Sequence, residues 1–261
     1  KDAQGKEELS LAGKLRVAKN KIRYKARIVF VQVWTDIGNG VKKGQPVGRE
    51  AELRKYMNQA LVNPHFEKIL TLKLNTDIDP VTKKKHNRKT RFNNIKCMDY
   101  NTGRKTIPII ENNPLGGSDK WIYAGTEDEI YTFLNDELYK QYGNKYQNVY
   151  KVYFINEDNG HLNSAGKWEG AVAGIGRTMK DPKIKTILVY RGGFADSTVA
   201  HEVCHSMGLY HSFDNNSNFT FEQYITDNIM DYSDIATVPI PVISTYHWQW
   251  KTLQSRAGEK E

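Results

Sequence analysis

The stretch His201-Glu202-Val203-Cys204-His205-Ser206-Met207-Gly208-Leu209-Tyr210-His211 constrains this chain more than any other. On an α-helix, residues four apart lie one turn apart on the same face, so His201 and His205 can reach one ion while Glu202 projects to its flank. A catalytic zinc takes three protein ligands and keeps one tetrahedral position for water. A third donor must therefore come from beyond that helical turn. Gly208 can adopt the left-handed conformation that ends a helix, which would swing His211 back toward the metal. At average residue abundances, five such fixed positions match by chance on the order of once in 10⁵ sequences of this length, against about once in 10² for a bare His-Glu-x-x-His.

The surroundings supply a frame for such a helix. Tyr24 to Trp34 is rich in β-branched and aromatic residues and reads as a buried strand; Ile69 to Leu74, Val149 to Ile155 and Ile184 to Tyr190 read as further strands. Leu53, Tyr56, Met57, Ala60 and Leu61 give the apolar face of a helix from Arg49 to about Val62, ended by Asn63-Pro64. Thr126 with Glu129 forms a capping box for a second long helix, carried by Ile130, Phe133, Leu134 and Leu138 until Gly143. Asp196 or Ser197 is expected to cap the helix that bears His201. Between the last two strands, Gly170, Ala171, Val172, Ala173, Gly174, Ile175 and Gly176 have the small side chains of an edge strand that another backbone can approach, or of an ordinary loop. His247, Trp248 and Trp250 read as packing residues of a final helix.

Charge is divided unevenly. The chain has 261 residues and a net charge of +8, yet residues 1–111 carry 25 Lys+Arg against 11 Asp+Glu, and residues 112–261 carry 13 against 19. The basic half holds Lys83-Lys84-Lys85-His86-Asn87-Arg88-Lys89-Thr90-Arg91, within a polar, Asn- and Lys-rich region from 75 to 120 that reads as an insertion with short strands or hairpins. The run reads as a solvated surface loop and is a candidate contact for polyanions, although no nucleic-acid fold motif accompanies it. No stretch approaches the ~18 apolar residues of a membrane helix. Two cysteines, Cys97 and Cys204, exclude a disulfide framework and leave open a single bond between them or a latency role for Cys97 at the metal.

The pattern His201-Glu202-x-x-His205-x-x-Gly208-x-x-His211, followed by Asn228-Ile229-Met230-Asp231-Tyr232, resembles the metzincin clan of zinc endopeptidases over about residues 149–232. Ser206 and Ser212 look like the matrix-metalloproteinase form, whereas Met230-x-Tyr232 looks like astacins and serralysins. The resemblance implies one catalytic Zn²⁺ on His201, His205 and His211, Glu202 as general base, Met230 in a turn beneath the histidines, and Tyr232 assisting at the oxyanion. It also implies a substrate strand along Gly170 to Gly176 and an apolar wall from Ser233 to Val242.

The expected architecture is α/β: a mixed twisted sheet with two long helices and the zinc-site helix. An extension (1–23) would precede one catalytic domain (24–261), with an upper part to about 208 and a small irregular lower part from 209. The expected activity is that of a secreted or exported, monomeric zinc endopeptidase whose leader is absent from this chain. Two other readings stand beside it, a toxin-like peptidase specific for one protein and a zinc-containing binding module that works through its basic surface.

Overall fold

The computed structural model describes residues 22–37, 40–78, 83–96, 127–157, 161–162, 168–169, 174–176, 185–194 and 197–261. Its centre is β1 (Tyr24–Thr35), whose alternating residues feed two cores. Ile28 and Phe30 enter one, and Val29, Val31 and Val33 enter the other. A strand buried on both faces needs an almost unbroken apolar sequence, which β1 has. In chain order follow β2 (Lys42–Lys43), α1 (Glu50–Met57), β3 (Val62–Phe66), β4 (Leu70–Lys73), α2 (Arg88–Lys96) and α3 (Glu127–Tyr142). Then come β5 (Tyr150–Ile155), β6 (His161–Leu162), β7 (Trp168–Glu169), β8 (Gly174–Gly176), β9 (Thr186–Tyr190), α4 (Thr198–Ser206), α5 (His247–Ala257) and β10 (Gly258–Lys260).

Eight of these strands form one mixed sheet, with main path β10-β1-β5-β9-β8; β6 and β7 make a separate pair. β3, β4 and β5 all run parallel to β1, and β9 runs parallel to β5. β8 closes the edge antiparallel to β9, with Gly174 opposite Val189 and Gly176 opposite Ile187. The fold is thus α/β, with helices on both faces. α1, α4 and α5 share a core with Ile28, Phe30, Val152, Phe154, Ile187 and Val189. α2 and α3 cover the opposite face through Phe92, Ile130, Phe133 and Leu134. The two long helices expected from the sequence therefore sit on opposite sides of the sheet. The C-terminal residues come back to it, β10 pairing antiparallel with Tyr24, Lys25 and Ala26.

Three local expectations are corrected. The first helix stops at Met57, passes through a 3-10 turn over Asn58–Ala60, and is broken by Leu61 in the left-handed region at φ 57°. Asn63-Pro64 does not end it but lies in β3, where Pro64 stands opposite Ala26. Proline is tolerated because β3 has no neighbour on its outer side among the described residues, so the missing N–H faces away from the ladder. The 75–120 insertion contains a helix, α2, whose weak apolar pattern hid it.

The basic run is a loop only as far as Asn87, itself at φ 51°. Arg88 opens α2 and is buried, its Nε 2.8 Å from Glu137 Oε2. Lys89 pairs with Asp36 at 2.6 Å. A polyanion contact would accordingly fall to Lys83, Lys84, Lys85 and Arg91, which are exposed. Cys97, Thr126, Asp196 and Gly170 to Ala173 lie outside the described residues. Among those described, no helix is long and apolar enough to cross a membrane.

Candidate metal centre

β9 is followed by a 3-10 turn (Arg191–Gly193) and then α4, so the site helix follows the strand that neighbours the edge strand β8. Val199, Ala200, Val203 and Cys204 pack into the core, which turns His201, Glu202 and His205 toward the opposite side. Of the two residues expected to cap this helix, Asp196 lies outside the described residues and Ser197 is corrected. Ser197 makes no capping bond; its hydroxyl donates instead to the Asp234 carboxylate. The amide of Ala200 in the first turn donates to Glu52 Oε1 at 3.3 Å, from α1 across the core. A carboxylate there satisfies an orphan donor and complements the helix dipole. Glu52→Ala should cost about 1 kcal/mol, read as a lower urea midpoint.

The helix ends as Gly208 turns left-handed at φ 96°. The Gly208 amide bonds to the His205 carbonyl (2.8 Å) and the Leu209 amide to the Cys204 carbonyl (3.0 Å). That turn brings His211 to the other two histidines. The potential ligand atoms of His201, His205 and His211 all lie within 4.8 Å of one another. The Nε2 atoms of His205 and His211 are 3.0 Å apart. Two nitrogens on a tetrahedral ion 2.0–2.1 Å away would be separated by about 3.3 Å.

The second nitrogen of each helical histidine is committed. His201 Nδ1 lies 2.7 Å from the Ile229 carbonyl, and His205 Nδ1 lies 2.7 Å from the Leu209 carbonyl. A carbonyl can only accept, so each Nδ1 carries the proton and each Nε2 presents a lone pair. His201 Nε2 is buried with no hydrogen-bond partner among the described residues. A buried polar atom without a partner calls for a ligand. Burial, together with the neighbouring His211, holds the His201 pKa down at about 4. Burial also pushes His205 well below the ordinary value and lowers His211. All three imidazoles are therefore neutral near pH 7, the form that ligates. The residues fit a metal ion, and three neutral histidines are able to hold one.

The segment Asn228–Tyr232 runs beneath the histidines. Ile229 supplies the carbonyl under His201, and the Met230 carbonyl accepts from the Ser212 amide at 3.0 Å. Met230 is fully buried in the core shared with Val203 and Met207. The Tyr232 hydroxyl lies 2.7 Å from His211 Nε2 and so borders the cluster. Its pKa is pushed up to about 12 by burial, then by the Glu202 carboxylate and Tyr224. The phenol thus keeps its proton across the physiological range.

Glu202 faces the sheet edge, where the Gly176 amide donates to its Oε2. Of the expected edge segment, Gly174, Ile175 and Gly176 are described, and among the described residues they form the edge strand. Their glycines are required by the approach of α4: a Cβ on Gly174 would lie 2.7 Å from Glu202 Cγ, and one on Gly176 would overlap the Glu202 carbonyl. Gly176→Ala should destabilise by about 1–3 kcal/mol through overpacking. Gly192→Ala, in open space, should stay within about 0.5 kcal/mol. Denaturant midpoints of the two variants check this contrast.

Sequence reasoning missed several supports. Asn228 and Gln249 form a buried amide pair, with Asn228 Nδ2 donating to Gln249 Oε1 (2.9 Å) and Gln249 Nε2 donating to Asn228 Oδ1 (3.1 Å). Asn228 Oδ1 also accepts the Met230 amide, which ties the turn to α5. The Phe213 ring stacks on His211 at 4.8 Å and 6°. Cys204 carries a free, buried thiol, its pKa raised to about 12 by burial and by Glu202, so it is not a reactive thiolate. No protein-family model and no curated protein matches the chain.

Proposed function

We propose that the chain is a zinc endopeptidase of the metzincin type, with His201, His205 and His211 as the metal ligands. The observation that carries this reading is the conjunction of three clustered imidazoles, the two buried ones with Nδ1 committed to backbone carbonyls and the third half-buried, and a carboxylate on the same helix beside them. The mixed sheet with an antiparallel edge strand against α4, the left-handed Gly208 and the buried Met230 turn also support it.

His201, His205 and His211 would hold a zinc ion, which would supply Lewis acidity toward the substrate carbonyl and acidify a water nucleophile. Glu202, one position from His201 and not needed as a ligand, would take a proton from the attacking water on its carboxylate and deliver it to the leaving amine nitrogen. Tyr232, protonated because its pKa is near 12, donates its hydroxyl proton as a hydrogen bond to the developing oxyanion. β8 lies beside Glu202 and provides an edge along which an extended polypeptide can pair. A binding module that used zinc only as a structural tie would have no use for a base at Glu202.

The test is a map of new N-termini in an unfolded protein mixture, made with the zinc-loaded protein and again after chelation. New termini that appear only in the zinc-loaded sample are expected. Identical maps in the two samples would remove the peptidase reading, and cleavage confined to one protein would favour the single-substrate form of it.

A further inference from the structure

We infer that Trp34, Lys43 and Lys73 form an anion-binding platform, separate from the candidate metal centre, that takes a sulfated polysaccharide. The inference does not depend on the peptidase reading.

Trp34 lies on the same face of β1 as Ile28 and Phe30, beyond the end of the core they enter. Two strands reach it from opposite edges. Val31 to Val33 pair with β4 on one edge and with β5 on the other, and Trp34 itself stands opposite Lys73 of β4 and Lys43 of β2, so β2 lies on the edge away from β4. Both lysines fold onto the indole: Lys43 Nζ is 4.0 Å and Lys73 Nζ 4.7 Å from the ring centroid. A ring face attracts a cation, so the indole holds both ammonium groups in place. The indole is fixed in turn, its Nε1 donating to Gln32 Oε1 at 2.8 Å while Gln32 Nε2 donates to the Gly44 carbonyl at 2.9 Å. Lys43 is exposed, and Trp34 and Lys73 are half-buried.

Two like charges gathered on one ring repel each other unless an anion joins them. Among the described residues, neither Lys43 nor Lys73 has a carboxylate partner. The acids at this end of the sheet are engaged elsewhere: Glu157 with Lys42 and Thr35, Asp36 with Lys89, and Asp77 with Thr90. Beyond β4 the chain doubles back, Ile78 bridging to Lys85 and the Asp77 carbonyl accepting the His86 amide at 2.7 Å, which returns further lysines to the same end. The surface is remote from the edge strand at Glu202, since β5 and β9 stand between β1 and β8.

The ligand class follows from the shape of the charges. Ammonium groups reach the indole from both neighbouring strands, which leaves no ring face for a base to stack on and disfavours single-stranded nucleic acid. No guanidinium fork is offered either: Arg88 is buried against Glu137, and Arg91 lies over the Phe133 ring. Forks match planar carboxylates, whereas ammonium groups are compact point charges that meet a tetrahedral oxyanion from any side. Two of them held an indole apart match sulfates spaced along a sugar chain.

The experiment measures binding of a short heparin fragment to the full chain by calorimetry across a salt series, beside charge-matched oligo-dT and poly-glutamate. The wild-type protein is expected to bind heparin most tightly. Lys43→Gln with Lys73→Gln should weaken binding by roughly ten-fold or more and make the dependence of log K on log salt shallower by about 1–2. Lys68→Gln with Lys251→Gln, which removes the same charge at exposed lysines elsewhere, should change affinity by no more than about two-fold. Heparin should alter the intrinsic fluorescence of the wild type and not that of Trp34→Phe. No heparin binding at low salt would overturn the inference. So would a Lys43/Lys73 double variant that binds like the wild type, which would move the contact to the Lys83–Lys85 loop, or a fluorescence change that persists in Trp34→Phe. Tighter capture of oligo-dT or poly-glutamate than of heparin would overturn it in favour of nucleic acid or an acidic protein.

Discussion

If the chain is the zinc peptidase proposed, replacing Glu202 by glutamine is expected to lower peptide-bond cleavage by about 10²–10⁴-fold, the contribution of a positioned general base, while leaving the metal content unchanged. Glutamine has nearly the same shape, and its Oε1 can still accept the Gly176 amide that the carboxylate now accepts. The edge strand and α4 should therefore keep their contact, and the urea midpoint should move little. The variant separates a chemical role from a structural one. Steady-state turnover of an unfolded protein, together with zinc content per chain, is the measurement. Cleavage at the wild-type rate with zinc retained would remove Glu202 from the mechanism.

The second large effect is at Asp231, a buried carboxylate that accepts four hydrogen bonds, from the amides of Tyr224, Thr226 and Tyr232 and the hydroxyl of Thr226. Asp231→Ala leaves these donors without their acceptor in a site where Asp231 itself is 2 % exposed. The expected loss is about 3 kcal/mol, a fall of roughly 6–12 °C in Tm for a chain of this size. On the peptidase reading, activity should fall as well, because Tyr232 loses the bond that fixes its backbone. Burial alone would raise the Asp231 pKa, but the bonds from Thr226, Tyr224 and Tyr232 outweigh it and leave the pKa below the ordinary aspartate value. A depressed folded-state value means the carboxylate's stabilisation is complete above the unfolded pKa of about 3.9 and is lost as pH falls through the lower folded value. The difference in stability between wild type and Asp231→Ala should accordingly be constant from pH 5 upward and shrink below pH 4. A difference that did not change with acidification would mean that Asp231 acts through packing and not through its charge.

Much of the candidate metal centre was legible because its parts are local. The four-residue spacing of His201 and His205, the glycine three residues on and the later Met230 turn each follow from rules that act within a few residues, and the described geometry brings them together. β1, β5 and β9 were legible for the same kind of reason, since strands buried on both faces must be apolar throughout. What escaped depends on partners far apart in the chain. Glu52 reaches Ala200 from 148 positions away, and nothing around Glu52 signals it. Asn228 and Gln249 pair across 21 positions. Arg88 has the local sequence of a surface charge and is buried only because Glu137, far along the chain, pairs with it. The strain at Tyr224 has no sequence mark at all, because it is imposed by Asp231 and not by the local residues.

Those long-range supports converge on one purpose in this account, holding three neutral imidazoles around a single ion. Glu52 anchors the start of α4, Ile229 and Leu209 orient the histidines on it, and Asp231 with the Asn228–Gln249 pair holds the turn beneath them. The most direct measurement is zinc content together with X-ray absorption at the zinc edge, on the wild-type protein and on His205→Ala. The account predicts one zinc per wild-type chain, with three imidazole nitrogens at about 2.0–2.1 Å, and its loss from His205→Ala. A wild-type protein that binds no zinc, or one whose zinc survives unchanged in His205→Ala, would contradict it.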